Sequence, residues 1–368
     1  MKIKILSLLV IVLLMSCKDR QKKSNKTDGK ASTNAIIEVE SFKGQQVTGV
    51  TSTDKGRLFV NFPRWRKGVN NSVVEIIPNS DPESYPNESW NSWEIGEPIA
   101  ENKFIGVQSV LAFEDKLYVL DTRSQLFQNV MDAPRIFVFD LATATLSKTY
   151  TLEEASYHKD SYINDLRVDK KKNRIYLTDS GHPGLVIVDI DSGKTRRVLN
   201  EHSSTTAEQS YLTFGEKKWE NTIHSDGIAL DTENERLFYH ALTGYSLYSI
   251  STDALKAEDD EPIEEQVTFE TKTAAPDGMI FDSEGNLYFA DLEHHKIQYR
   301  TPEGNIYTLA EGEQIRWADT FSIYEGYLYF TNSRIHEVGA DISSMTFSLN
   351  KINRGQYINT YLSGSKYI

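Results

Sequence analysis

Asn164, Asp226, Asp277 and Asp319 recur at one place in a repeating pattern, each just ahead of a short apolar strand. Their settings are Ile163-Asn164-Asp165, Ser225-Asp226-Gly227, Pro276-Asp277-Gly278 and Ala318-Asp319-Thr320. Two earlier repeats carry Val47-Thr48-Gly49 and Val107-Gln108-Ser109 at the same place. Amide and carboxylate oxygens suit a hard cation, and they also accept from an amine or a hydroxyl. One such residue alone is a cap on the tight entry into a strand. Four in register predict a lined channel, with Asn164, Asp165, Asp226, Asp277 and Asp319 as ligand-contact residues. Trp317, two residues before Asp319, sits in register as an aromatic wall, whereas Trp65, Trp90 and Trp93 read as packing. His224 lies two residues before Asp226, and an imidazole titrates near neutral pH. His224, Asp226 and Asp277 are therefore the candidate proton-transfer groups.

The elements that must hold these groups are legible as repeats. Six aliphatic–aromatic strands begin at Leu58, Leu117, Ile175, Leu237, Leu287 and Leu328, each after a short apolar strand and a charged or glycine-containing turn. Successive starts are 59, 58, 62, 50 and 41 residues apart. Four-stranded propeller blades repeat about every 40–50 residues, so insertions stretch the early repeats. One sheet cannot bury both of its faces alone, and neighbouring sheets must stack. The pattern predicts an all-β, six-bladed β-propeller over residues 36–368. Strands at 36–39 and 345–349 are expected to share the last blade and close the ring. Helical periodicity is weak throughout, and the acidic stretch at 258–265 reads as a short helix or a solvated loop.

The chain ends carry a different signal. Residues 1–17 open with Lys2 and Lys4, continue apolar and end in Leu14-Met15-Ser16-Cys17, which resembles a lipoprotein signal with a lipobox. Cys17, the single cysteine, is the expected lipidation site, and it leaves no disulfide to close the ring. Residues 18–35 form a basic stretch with little apolar content, expected to act as a flexible tether. Together these features predict a cell-envelope lipoprotein, monomeric and touching the membrane through its lipid anchor only. Of the formal charge of −13, the signal holds +2 and residues 18–33 hold +4, which leaves −19 from Asn34 onward. That balance disfavours nucleic acid and favours a small-molecule ligand. Nucleotide-cradling, serine-hydrolase and zinc-protease motifs are missing, which disfavours those chemistries.

Longer strings add a family resemblance. Val60-Asn61-Phe62-Pro63-Arg64-Trp65, Tyr85-Pro86-Asn87-Glu88-Ser89-Trp90-Asn91, Ser161-Tyr162-Ile163-Asn164-Asp165-Leu166-Arg167, Thr178-Asp179-Ser180-Gly181 and Ser225-Asp226-Gly227-Ile228 closely resemble the yellow / major royal jelly protein family, in order from about residue 45 to 335. The resemblance implies a secreted six-bladed propeller that binds a small amine or phenolic compound at its channel mouth, with tautomerase-like activity on dopachrome-type substrates as a further implication. A more distant likeness to the gluconolactonase / regucalcin family implies a divalent-cation site (calcium or zinc) at Asn164, Asp226 and Asp277. Its glutamate ligand has no counterpart, because Thr48 stands near that place. Three functions stay open at this point: a ligand-binding propeller with or without tautomerase activity, a metal-dependent lactonase, and a non-catalytic interaction scaffold.

Overall fold

Alternating bulky apolar residues and turn residues resolve into six four-stranded antiparallel sheets in the computed structural model, which describes residues 35–256 and 262–355. The signal segment 1–17 with Cys17, tether residues 18–34 and part of the acidic stretch, 257–261, lie outside the described residues. Each predicted hairpin supplies the first two strands of a blade. In blade 1 these are Gly49–Ser52 and Leu58–Asn61, and in blade 2 Val107–Phe113 and Lys116–Asp121. Blades 3 and 4 start with Ile163–Asp169 and Arg174–Asp179, then Ser225–Asp231 and Arg236–Ala241. Blades 5 and 6 start with Met279–Phe281 and Leu287–Asp291, then Ala318–Tyr324 and Tyr327–Asn332.

The last blade is closed by both ends of the ring. Ile36–Lys43 is its outermost strand and pairs antiparallel with Thr346–Asn353, from Ile36 opposite Ile352 to Lys43 opposite Thr346. Across the junction of the first and last blades, the Ser52 amide donates to Ser322 Oγ at 2.9 Å. Apolar residues gather between blades, one cluster at each of the six junctions. Phe59, Phe104, Phe137 and Phe139 fill the junction of blades 1 and 2, while Tyr176, Ile187, Leu237 and Ile250 fill that of blades 3 and 4. Each such side chain taken from water contributes about 1.5–3 kcal/mol, so the ring is held by its junctions and not by one central core.

One element departs from the repeat. A two-stranded hairpin, Leu212–Phe214 with Lys217–Trp219, is inserted between blades 3 and 4. The Thr213 amide of this hairpin donates to Glu293 Oε1 at 2.6 Å, which pins the hairpin to blade 5. No helix among the described residues is long and apolar enough to cross a membrane.

Candidate functional site

The residues at the repeated position converge because the inner strands crowd the ring axis. A Cβ on Gly227 would meet the Asp277 carbonyl oxygen at 2.3 Å, and one on Gly278 would meet that of Asp319 at 2.6 Å. Only glycine after the aspartate lets successive inner strands approach this closely. That approach turns Asp226, Asp277 and Asp319 toward one point at the end of the channel.

There they floor a cavity of about 410 Å³. Its walls are five aromatic side chains: Trp65, Phe127, Tyr162, Trp219 and Trp317. Trp65 stacks on Phe127 with centroids 5.0 Å apart, and Trp219 meets Trp317 edge-on at 5.1 Å. Among the described residues four carboxyl groups line the cavity, Asp160, Asp226, Asp277 and Asp319, and no Lys, Arg or His does.

A hydrogen-bonded chain runs around the wall. Trp65 Nε1 donates to the Tyr162 hydroxyl at 2.5 Å, which donates to Gln108 Oε1 at 2.7 Å. Gln108 Nε2 then donates to Asn164 Oδ1 at 2.9 Å, and Asn164 Nδ2 donates to Asp226 Oδ2 at 2.5 Å. Trp317 Nε1 donates to Asp277 Oδ2 at 2.6 Å. Asp319 Oδ2 is buried and has no hydrogen-bond partner among the described residues. Burial raises all three floor carboxyls above their ordinary range. Asp277 is pushed up to about 7. Asp226 and Asp319 lie well above the usual carboxylate values through burial and then the neighbouring charge of Asp277.

Five predicted residues meet here: Asn164, Asp226, Asp277, Trp317 and Asp319. Two others do not line the cavity. Asp165 sits on the other side of its strand, where Ser109 Oγ donates to it at 2.6 Å and Arg167 pairs with it at 2.9 Å. His224 turns outward, and its Nδ1 accepts from the Ala207 amide at 3.1 Å. Burial lowers its pKa, against the opposing pull of Asp179 and Asp160, so it rests neutral outside the cavity lining. Trp90 packs among Phe104, Phe137 and Phe139, and Trp93 is fully buried, as packing residues should be. Trp65 reads as packing in the sequence but forms the mouth. Tyr162 was also missed, although it precedes Asn164 by the same two residues that separate Trp317 from Asp319.

A divalent cation does not fit Asn164, Asp226 and Asp277 in this geometry. Asn164 offers its N–H to Asp226 and commits its oxygen to Gln108, so its amide is already spent within the wall. Thr48 Oγ1, near the place of the missing glutamate, accepts from Asn61 Nδ2 at 3.1 Å. Among the described residues no group of three or more His, Cys, Asp or Glu is arranged to hold a metal ion.

The model of the major royal jelly protein family matches residues 112–358, more than half of the sequence. The chain belongs to that family. Protein yellow of Drosophila guanche is 32% identical over 159 residues, and protein yellow of Drosophila melanogaster is 30% identical over the same length. Those matches cover 40% of this chain and 28–29% of the yellow proteins, so the matched stretch is under a third of the relatives' own length. Solved propellers share the fold at low identity. A luciferin-regenerating enzyme matches at TM-score 0.56 and 12% identity, over 87% of this chain and 95% of that one. A gluconolactonase from Xanthomonas campestris matches at 0.55 and 11%, over 87% and 89%. This royal-jelly-family propeller thus combines the ring common to those structures with an aromatic, carboxyl-floored mouth.

Proposed function

We propose that this protein is an exported, lipid-anchored propeller that binds a small aromatic amine or phenolic compound at its channel mouth. The composition of the mouth carries the reading: five aromatic walls over buried carboxyls, with no basic side chain lining the cavity. Carboxyls crowded out of water are costly unless a positive charge or a proton joins them. An alkylammonium group tethered to an aromatic ring answers both halves of the site, because its charge meets the floor and its ring lies between indoles. A phenolic hydroxyl answers it more weakly, donating to Asp319 Oδ2.

A second reading rests on one further observation. Burial raises both Asp226 and Asp277, which lie side by side on the cavity floor, and Asp277 is pushed up to about 7. Such a pair can take a proton from one position of a bound catechol-derived ring and return it at another, as a tautomerase does. Lactone hydrolysis through a metal has no support from the donor geometry, and no step is assigned to it.

The test is a thermal-shift and calorimetric screen of purified protein against aromatic amines, catechols and lactones. Saturable binding of an aromatic amine, lost in Trp65→Ala and weakened in Asp319→Asn, supports the binding reading. Indifference to every amine and catechol overturns it. Turnover of a dopachrome-like substrate that disappears in Asp277→Asn supports the tautomerase reading; binding without turnover removes it. The anchor is tested separately, since incorporation of labelled palmitate should vanish in Cys17→Ser.

A further inference from the structure

The connection that sends Trp65 into the mouth, residues 62–72 of blade 1, carries three basic side chains away from it. Two more cavities flank this connection. One, of about 370 Å³, has Lys43, Arg66, Lys67 and the single carboxylate Asp341 on its walls. The other, of about 300 Å³, has Arg64, Arg66, Lys67 and the single carboxylate Glu94. Residues 66–69 form the ridge between them, and both cavities share it. Gln45 clamps that ridge, its Nε2 donating to the Gly68 carbonyl at 2.9 Å and its Oε1 accepting from the Asn70 amide at 3.2 Å.

The charge at this place is uncompensated. Arg66 makes one side-chain hydrogen bond, to Gln46 Oε1 at 2.5 Å, and no carboxylate pairs with Lys43, Arg66 or Lys67 among the described residues. Behind them Arg64 is 2% exposed, and among the described residues it donates only to Ser72 Oγ and to the carbonyls of Phe104 and Asn91. Burial without a bonded counter-ion lowers its pKa to about 10. Elsewhere the domain is strongly acidic, so this concentration of bare positive charge is local.

We propose that the two cavities form a binding site for a phosphate monoester carried on a sugar-sized scaffold, with Arg66 and Lys67 reached from either side and Lys43 on the rim. A phosphate monoester brings about −1.5 to −2 charges and three acceptor oxygens, which match a guanidinium fork beside two ammonium groups. Cavities near 300 Å³ are at the small end of ligand sites, the size of one sugar ring with its phosphate. The same phosphate chemistry occurs on a free sugar phosphate and on a lipid headgroup. The site is separate from the aromatic mouth and does not depend on the reading given to it.

Calorimetry with glucose 6-phosphate, and co-sedimentation with phosphatidylcholine vesicles containing phosphatidic acid, test the two sources. Binding of glucose 6-phosphate but not glucose, weakened at least tenfold in Arg66→Gln/Lys67→Gln and by added salt, supports a soluble ligand. Vesicle binding lost in the same variant supports a headgroup. Lys55→Gln, which removes an exposed charge at the far turn of blade 1, should change neither. Lys67→Gln alone, at an exposed side chain, repeats the test if the double variant fails to fold. Failure of wild type to bind either probe, or equal loss in Lys55→Gln, overturns the proposal.

Discussion

Asp226, Asp277 and Asp319 are costly to hold together, and the cost has a pH signature. Their pKa values are raised in the folded ring, whereas an unfolded aspartate titrates near 3.9. Between about pH 4 and pH 7 the folded protein therefore holds more protons than the unfolded chain, and stability falls as pH rises through that window. Each unit of displacement corresponds to about 1.4 kcal/mol. Asp277→Asn keeps an oxygen for Trp317 Nε1 and abolishes the titration. Thermal melts of this variant should show a shallower decline between pH 4 and 7, with a higher melting temperature than wild type at pH 8; an unchanged slope would sink the assignment. The ligand experiences the opposite dependence. An alkylammonium stays charged past pH 9, so amine affinity should climb as Asp277 ionises near pH 7 and level off above it. Tyr162→Phe probes the wall. It strands Trp65 Nε1 and Gln108 Oε1 and should cost about 1–3 kcal/mol in urea unfolding.

At the scale of elements, the inner strands were readable because apolar alternation and turn residues mark them, and because the Asx positions repeat in phase with them. Asp226-Gly227 and Asp277-Gly278 even encode the close approach, since each glycine faces the backbone of the next blade. Gly278→Ala should therefore force the inner strands of blades 5 and 6 apart. The expected loss is about 1–3 kcal/mol in urea unfolding, together with weakened ligand binding, because Asp319 moves with its strand. Gly96→Ala is the contrast: a Cβ there meets nothing within 4 Å, and only its positive φ carries a cost. The walls of the mouth were far less legible. Trp65 and Phe127 arrive on connections, and Phe127 is set by left-handed backbone at Leu126 and Phe127 that no local pattern announces. Trp219 arrives on an inserted hairpin whose anchor, Glu293, is far away in sequence. Periodicity reports which face of a strand a residue takes; it does not report where a loop side chain lands across a ring. The same limit explains His224, whose register matches that of Trp317 although its ring faces Ala207.

For the whole molecule, ring closure couples these parts. Ile36–Lys43 is the outer strand of blade 6, and the chain leads from it directly through Lys43, Gln45 and Gln46 into blade 1. Gln46 Nε2 donates to the Ser333 carbonyl at 2.8 Å, and the Thr331 hydroxyl donates to the Thr48 carbonyl, so the seam is bonded near the channel as well as at the rim. A protein shortened to begin at Gly44 would keep every residue of the mouth but leave Thr346–Asn353 as an unpaired edge. Each lost ladder bond removes about 0.5–1.5 kcal/mol net, and Phe42 leaves the cluster at the junction of blades 6 and 1. The exposed edge also offers a template for pairing with another chain. Compared with a chain begun at Asn34, the Gly44 form should unfold at lower urea, lose amine binding and elute as larger species in size-exclusion chromatography. If the mouth instead depended only on contacts among the inner strands and connections that line it, the shortened ring would bind its ligand as before. Strand removal thus separates a site built by the closed ring from one that the neighbouring blades could hold by themselves.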